Sequence, residues 1–272
     1  MKKIKEKVSI IIPNYNGIKL LKKNIPLLIQ ASKNHNLEDE IIIVDNGSTD
    51  ESVEFLKKQY PEINIIQLKQ NIGFGEACNI AVKKSINKIF ILLNNDVEVT
   101  ENFISPLIKH FLNPKIFSVS ALSLGDDNRK KKIPEKPIFI LYATGGYSAY
   151  DKEKFLYLGG FHPIYSPFYS EDRDIGYRAI KRGWENILEP ESVVFHQGEQ
   201  TSKKINKKYV EYIKFRNKII FYLSCYDSNL LIFISILRLC LNTFLSFRFY
   251  SFTAFFWIYK NRTKIYEKKR NL

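Results

Sequence analysis

The sequence predicts an α/β protein with a mostly parallel, doubly wound sheet, followed by a helical tail that is both apolar and basic. Three observations carry that prediction. Short apolar runs alternate with helical patterns through the first hundred residues, each run breaks at its carboxyl end into Asn, Asp, Gly and Ser, and positive charge gathers late in the chain. Strands alternating with helices at this spacing mean parallel βαβ units, which bring every carboxyl-end cluster to one edge of the sheet. Open α/β sheets bind their ligands there. At 272 residues the chain suits one large core with a small appendage.

Val8 to Ile12 is the first buried strand, ended by the turn residues Pro13-Asn14-Tyr15-Asn16-Gly17 before a helical pattern from Lys19 to Ile29. Glu40 to Val44 is the second. It breaks into Asp45-Asn46-Gly47-Ser48-Thr49-Asp50, where Ser48 and Glu51 have the spacing of a capping box for a helix reaching about Gln59. Ile63 to Gln67 is the third strand, and Asn71-Ile72-Gly73-Phe74-Gly75 leads into a helix over Glu76 to Ser85. The fourth run, Ile89 to Leu93, reads as a fully buried strand that stops at Asn94-Asn95-Asp96. This triplet is either a plain turn or an oxygen-rich cluster suited to a hard divalent cation and a nucleotide diphosphate. Gly73-Phe74-Gly75 lacks the third glycine of the dinucleotide fingerprint, which argues against a dehydrogenase.

Beyond Val97 the pattern predicts a helix from about Asn102 to Asn113, a strand from Phe117 to Ala121, a mobile charged loop over Gly125 to Pro137, and a strand from Ile138 to Ala143. Gly145-Gly146 either admits a ligand close to the backbone or turns a corner. Gly159-Gly160-Phe161 precedes Pro167-Phe168-Tyr169-Ser170-Glu171-Asp172-Arg173-Asp174, four charges opening a helix that ends near Gly183. Asp174 reads as an ordinary first-turn acid that complements the helix dipole. Aromatic residues crowd ahead of Glu171-Asp172, which that reading fits less well. Val193 to Phe195 is a short strand ending in His196, a lone histidine that is either structural or a ligand.

Cys78, Cys225 and Cys240 show no partner pattern, which argues against a disulfide framework or a zinc site and fits a reducing cytoplasm. The apolar run at Val8 to Ile12 is too short for a signal-peptide core. The net charge is +14, yet from Thr201 onward fifteen Lys and Arg face three acids, so +12 resides there and +2 in the first two hundred residues. A nearly neutral body with a basic tail points to an anionic surface. Nucleic acid is not that surface, because the tail's aromatics lie in apolar runs instead of alternating with cations.

Leu230 to Phe247 is long enough to cross a bilayer but carries Arg238 at its middle. Ser235, Arg238, Asn242 and Ser246 form one polar stripe at helical spacing, the pattern of a helix lying in a membrane interface or packed on apolar protein, a homo-oligomer partner included. A true span is the remaining alternative. Phe249 to Tyr259 with Trp257, and the cations from Lys260 to Arg270, favour an anionic membrane. The chain divides accordingly into residues 1–215 and a membrane-associating helical tail, 216–272.

Taken in order, Pro13-Asn14-Tyr15-Asn16, Val44 to Asp50, Asn71 through Asn79, Leu92 to Val97, Gly159-Gly160-Phe161, Glu171-Asp172 and His196 resemble glycosyltransferase family 2. The resemblance runs from Val8 to Gly198 and extends to the bacterial rhamnosyltransferase-like members. It implies the A-type glycosyltransferase fold of nucleotide-diphospho-sugar transferases. It further implies inverting transfer of a hexose or deoxyhexose from a nucleotide-diphosphate sugar to a hydroxyl of a glycan or lipid-linked acceptor. Bacterial surface polysaccharide synthesis, with the protein peripheral on the cytoplasmic face of the membrane, is the setting it suggests.

By the same resemblance Pro13 and Tyr15 shape the nucleobase pocket, Asp45 accepts hydrogen bonds from the base, and Asn71, Asn79 and Asn95 lie along the nucleotide sugar. Asp96 would bind Mg2+ or Mn2+ across the diphosphate, with His196 completing that site. Asp172 would be the general base and Glu171 would orient the base or the acceptor. Asn94 stands where the family carries the first acid of its Asp-X-Asp motif, a departure expected to weaken metal affinity. Arg173 and Arg178 read as exposed ion-pair residues. The rival reading is a catalytically lapsed nucleotide-sugar-binding or scaffold protein at the membrane.

Overall fold

The computed structural model describes residues 6–36, 38–125, 133–196, 206–245 and 251–270. Its strands are β1 (Val8–Asn14), β2 (Glu40–Asp45), β3 (Asn64–Gln67), β4 (Ile89–Leu93), β5 (Val97–Val99), β6 (Ile116–Leu124), β7 (Ile138–Phe139), β8 (Tyr147–Asp151) and β9 (Glu185–His196). The helices are α1 (Ile18–His35), α2 (Ser52–Gln59), α3 (Phe74–Lys84), α4 (Ile104–Ile108), α5 (Lys152–Tyr157), α6 (Glu171–Lys181), α7 (Lys207–Cys225), α8 (Asn229–Leu245), α9 (Ser251–Lys260) and α10 (Arg262–Arg270).

Side-chain alternation makes the central strands two-sided. In β4, Ile89, Ile91 and Leu93 enter the core cluster that includes Leu21, Ile25 and Leu28 of α1, whereas Phe90 and Leu92 enter the cluster of Ala77, Cys78 and Ala81 of α3. Each fully buried Ile, Leu or Phe contributes about 1.5–3 kcal/mol of transfer free energy, so a strand buried on both faces is anchored on both. The result is a sheet between two helical layers.

The strand order is β3-β2-β1-β4-β8-β6-β9-β5, with β7 on β9. β1 to β4 are parallel, as the alternation predicts, and β6 runs parallel to β9. β8, absent from the sequence reading, slots antiparallel between β4 and β6. One edge therefore gathers the carboxyl ends of β1, β2, β3, β4, β6 and β9 together with the amino end of β8.

Several expected elements are redrawn. α1 continues through Pro26 to His35, and the helix expected over 102–113 is the short α4 followed by a 3-10 turn at Lys109–Leu112. The strand expected over 138–143 is only β7, because the chain then crosses Gly176 of α6, where any side chain would collide with Tyr142. No capping box forms at Ser48: α2 begins at Ser52, whose amide bonds Asp50 Oδ1 at 3.1 Å. Most of the charged loop expected over 125–137, namely residues 126–132, lies outside the described residues.

Position 215 falls inside α7, so the expected boundary between body and tail cuts a continuous helix. A third core cluster joins Phe215, Ile219 and Phe221 of α7 and Ala254 and Ile258 of α9 to Ile164 and Tyr165, which stand just ahead of α6. On α8 most outward residues are apolar: Leu230, Leu231, Phe233, Ile234, Leu237 and Leu241 are all exposed, Phe233 by 63%. Arg238 is exposed with them and Ser235 half-exposed, while Ser246 and the side chain of Asn242 lie outside the described residues. No helix among the described residues is long and apolar enough to cross a membrane.

Candidate active site

The loops at the carboxyl edge are stitched together by neutral amides. Asn14, at the end of β1, is buried, and its Oδ1 accepts from Asn95 Nδ2 at 2.8 Å. The Ser48 hydroxyl accepts from Asn16 N at 2.9 Å and Asn14 Nδ2 at 3.3 Å, and Asn24 Nδ2 donates to the Asn95 carbonyl at 2.7 Å. Gly17 makes this approach possible, since a side chain there would strike both Asn14 and Asn95. Asn95, expected along the nucleotide sugar, is thus a strut joining the loops after β1 and β4.

Asp45 is fully buried and accepts from Ser48 N at 3.1 Å through Oδ1. Burial raises its pKa, the Ser48 hydrogen bonds oppose that, and Asp50 adds to the rise. Next to Asp45, Asn46 donates to Asn71 Oδ1 and to the Gly73 carbonyl, both at 3.2 Å, and accepts from Ile72 N at 2.9 Å. Asn71 itself is exposed, as is Tyr15, and Pro13 is half-buried. Asn79 stands apart from this group: its amide clamps the Phe161 backbone, donating to the carbonyl at 2.8 Å and accepting from the nitrogen at 2.9 Å.

Antiparallel pairing of β5 with β9 sets Val97 opposite His196, which brings His196 Nε2 to 3.3 Å from Asp96 Oδ1. A carboxylate beside an imidazole, with no third His, Cys, Asp or Glu grouped with them among the described residues, is not a closed protein cage. It fits Mg2+ or Mn2+ held by one or two side chains, with the other positions left to water and phosphate oxygens.

The amino end of β8 joins this corner to α6. Asn94 N donates to the Gly146 carbonyl at 2.8 Å, and the Asn94 side chain packs where a Gly146 side chain would stand. On the other side Asp172 Oδ2 accepts from Gly145 N at 3.3 Å and its Oδ1 from Arg173 N at 2.7 Å. Burial raises the pKa of Asp172 against those bonds and the Arg173 charge. Glu171 lies deeper, 7% exposed; its Oε2 meets no hydrogen-bond partner, and burial first, then the Asp172 charge, pushes its pKa well up. The two adjacent carboxyls thus have distinct environments, Glu171 buried with Oε2 unbonded and Asp172 accepting from two backbone amides.

Neither arginine is an exposed ion-pair residue. Arg173 is half-buried over the rings of Tyr142 and Phe221, with its guanidinium 5.3 and 5.7 Å from their centroids. Arg178 is buried, pairs with Asp174 at 2.9 Å and bonds the Leu158 and Gly160 carbonyls. Asp174 does stand in the first turn of α6, as expected, but does more than complement its dipole. It is fully buried, with Lys268 Nζ of α10 at 2.5 Å and the Tyr165 hydroxyl at 3.0 Å. Burial alone would raise its pKa, but Arg178 and Lys268 outweigh that and hold it at about 2.

A parallel half-sheet, an antiparallel insert and a carboxylate corner at the strand ends define the A-type glycosyltransferase fold. The chain belongs to glycosyl transferase family 2, whose family model matches residues 9–171. Over 231 residues it is 25% identical to the O-antigen chain rhamnosyltransferase RfbN of Salmonella typhimurium, covering 75% of this chain and 71% of that protein. It is 32% identical over 114 residues to an undecaprenyl-phosphate 4-deoxy-4-formamido-L-arabinose transferase of Photorhabdus laumondii, covering 38% of this chain and only 33% of that one. Among solved structures, TarS residues 1–349 of S. aureus with UDP-GlcNAc superposes with a TM-score of 0.63 at 17% identity, over 88% of this chain and 72% of that one. The mannosyltransferase PcManGT of Pyrobaculum calidifontis, in complex with GDP-Man and Mn2+, gives 0.62 at 15% identity, over 79% of this chain and 63% of that one.

Proposed function

We propose that this glycosyltransferase transfers a hexosyl or deoxyhexosyl group from a nucleotide-diphosphate sugar to a hydroxyl of a glycan or lipid-linked acceptor, with inversion, in bacterial surface polysaccharide synthesis. The observation that carries the reading is that Gly145 and Gly146 place the Asp172 carboxylate on one side and the Asn94-to-Asp96 corner with His196 on the other. A base for the acceptor and a holder for the donor's diphosphate thereby flank one short turn.

In the reaction, Asp172 takes the proton of the acceptor hydroxyl as its oxygen bonds to the anomeric carbon, and the bond from that carbon to the diphosphate oxygen breaks with its electron pair leaving on the nucleotide. A carboxylate with a raised pKa is a stronger proton acceptor than a free one. Glu171, held toward its neutral form, keeps a second negative charge off the reacting centre. Mg2+ or Mn2+ held by Asp96 and His196 would supply positive charge to the departing diphosphate. Tyr15, Pro13 and Asn71 border the nucleotide, and Asp45, at the end of β2, accepts hydrogen bonds from the base.

The exposed apolar face of α8, together with the exposed Lys260, Arg262 and Lys264 of α9 and α10, suits an anionic membrane on which the protein lies peripherally at the cytoplasmic face. There a lipid-linked acceptor is within reach.

The test is a thermal-shift and nucleotide-release panel of dTDP-, UDP- and GDP-sugars with and without Mn2+. One nucleotide should raise the melting temperature in a metal-dependent way, and Asp96→Ala should abolish that shift. No shift and no nucleotide release with any donor, in the presence of anionic vesicles, overturns the reading.

A further inference from the structure

We infer that Arg216 and Asn217 of α7 are positioning residues for the loop that carries Glu171 and Asp172, so that the C-terminal helices are part of the catalytic apparatus. This rests on the glycosyl-transfer reading above.

The loop itself supplies the first observation. Tyr169 and Ser170, immediately before the acidic pair, both have left-handed backbone, with φ of 73° and 76°. Side-chain-bearing residues pay a steric penalty there, and two in succession persist only when their surroundings over-determine them. Such strain clusters where a fixed geometry is needed.

What over-determines it is α7. Asn217 is fully buried, and its Nδ2 lies 2.7, 2.9 and 2.8 Å from the carbonyls of Tyr165, Phe168 and Tyr169, two hydrogens shared among three acceptors. Its Oδ1 accepts from Arg216 Nε at 2.9 Å, which fixes the amide's orientation, and Arg216 Nη2 donates to the Ser166 carbonyl at 2.5 Å. Four of the five carbonyls from Tyr165 to Tyr169 thus answer to two adjacent side chains on one helix. The fifth, that of Pro167, accepts from Phe74 N at 2.9 Å. Phe74 follows Gly73, which Asn46 and Asn71 hold, so the same loop is tied on its far side to the nucleotide edge.

The tail reaches this clamp through Arg216, whose guanidinium sits 4.5 Å from the Trp257 ring centroid of α9. Asp172 stands three residues beyond the last clamped carbonyl, on the first turn of α6. Loosening the clamp leaves the Asp172 side chain chemically intact but lets the loop relax out of the left-handed region, which moves the base relative to Gly145 and the bound donor. Misplacement of a catalytic group by an ångström lowers turnover much more than donor affinity.

The test compares wild type, Asn217→Ala, Arg216→Lys and the remote core truncation Leu28→Ala in the full-length protein. Hydrogen exchange on the peptide spanning residues 163–172 should quicken at least tenfold in Asn217→Ala and measurably in Arg216→Lys, and stay at the wild-type rate in Leu28→Ala. With whichever donor the panel selects, Asn217→Ala should lower kcat at least tenfold with donor KM within twofold, whereas Leu28→Ala should keep kcat per folded molecule. If Asn217→Ala does not fold, Arg216→Lys carries the same test. Wild-type loop exchange in the folded variants overturns the inference whether or not any donor turns over. A kcat loss no larger than that of Leu28→Ala overturns it too, whereas a wild type that binds and turns over no donor refutes the glycosyl-transfer reading instead.

Discussion

Replacing Lys268 by Met asks directly whether the tail is an appendage. The Lys268 ammonium is 2.5 Å from Asp174 Oδ1, and both side chains are almost completely buried. A carboxyl moved from 3.8 to about 2 is held in its ionised form by about 2.4 kcal/mol, shared between Arg178 and Lys268. Removing one partner of a buried pair costs about 3–5 kcal/mol when the remaining charge is stranded. Arg178 and the Tyr165 hydroxyl still serve Asp174, so we expect a loss of about 2–3 kcal/mol at pH 7, read by urea denaturation. The sign of the pH dependence follows from the depressed value. Stability from Asp174 is present above its ordinary pKa of 3.8 and disappears as the pH falls toward 2, so the gap between variant and wild type holds at pH 5 and narrows below pH 4. A double-mutant cycle with Asp174→Asn should return a coupling of at least about 1 kcal/mol. Unchanged stability, or a coupling near zero, would show that α10 only rests on α6.

Three further outcomes follow from the site. Asp172→Asn should lower kcat by about 100-fold or more and leave metal-dependent nucleotide binding intact; in wild type the acid limb of kcat against pH should fall above the ordinary aspartate value, because burial raises this carboxyl. Glu171→Gln should melt higher than wild type at pH 8 and no higher at pH 4: the raised carboxyl stabilises the fold below its ordinary pKa of 4.5 and loses that contribution as the pH climbs through the folded value. Phe233→Ser and Leu237→Ser each remove about 1.5 kcal/mol or more of apolar transfer energy, so sedimentation with vesicles containing anionic lipid should weaken about tenfold per site. Unchanged vesicle binding with a shift in oligomeric state would make that face a contact between copies.

The parallel half of the sheet was legible because its central strands β1, β2 and β4 are largely buried and write that burial as unbroken runs such as Ile89 to Leu93. β8 escaped notice because Tyr147-Ser148-Ala149-Tyr150 is short and mixes aromatic with small residues. Its length is set by the partners β4 and β6, which local sequence does not show. Around the candidate site, the sequence could mark Asp172, Asp96 and His196 as carboxylates and an imidazole at strand and helix ends, and the structure sets Asp96 beside His196. The hydrogen bonds that Asn95 and Asn79 make to neighbouring loops were not legible, since an amide near a strand end has the same sequence signature whatever it bonds. Arg178 was read as an exposed ion-pair residue, and its buried pairing with Asp174 was not legible, because helical spacing at i and i+4 describes an exposed pair and a buried one alike. Nothing local marks Asn217, whose partners lie about fifty residues away.

The Asp174–Lys268 pair also bears on the order in which the molecule is completed. The ribosome delivers α6 well before α10, and domains begin to fold as they emerge. Until Lys268 arrives, the nascent helix buries an anion with one cation instead of two. By then α8, with its outward leucines and phenylalanines, has already been made. A chain that has finished balancing the charge buried under α6 therefore always carries its apolar face as well.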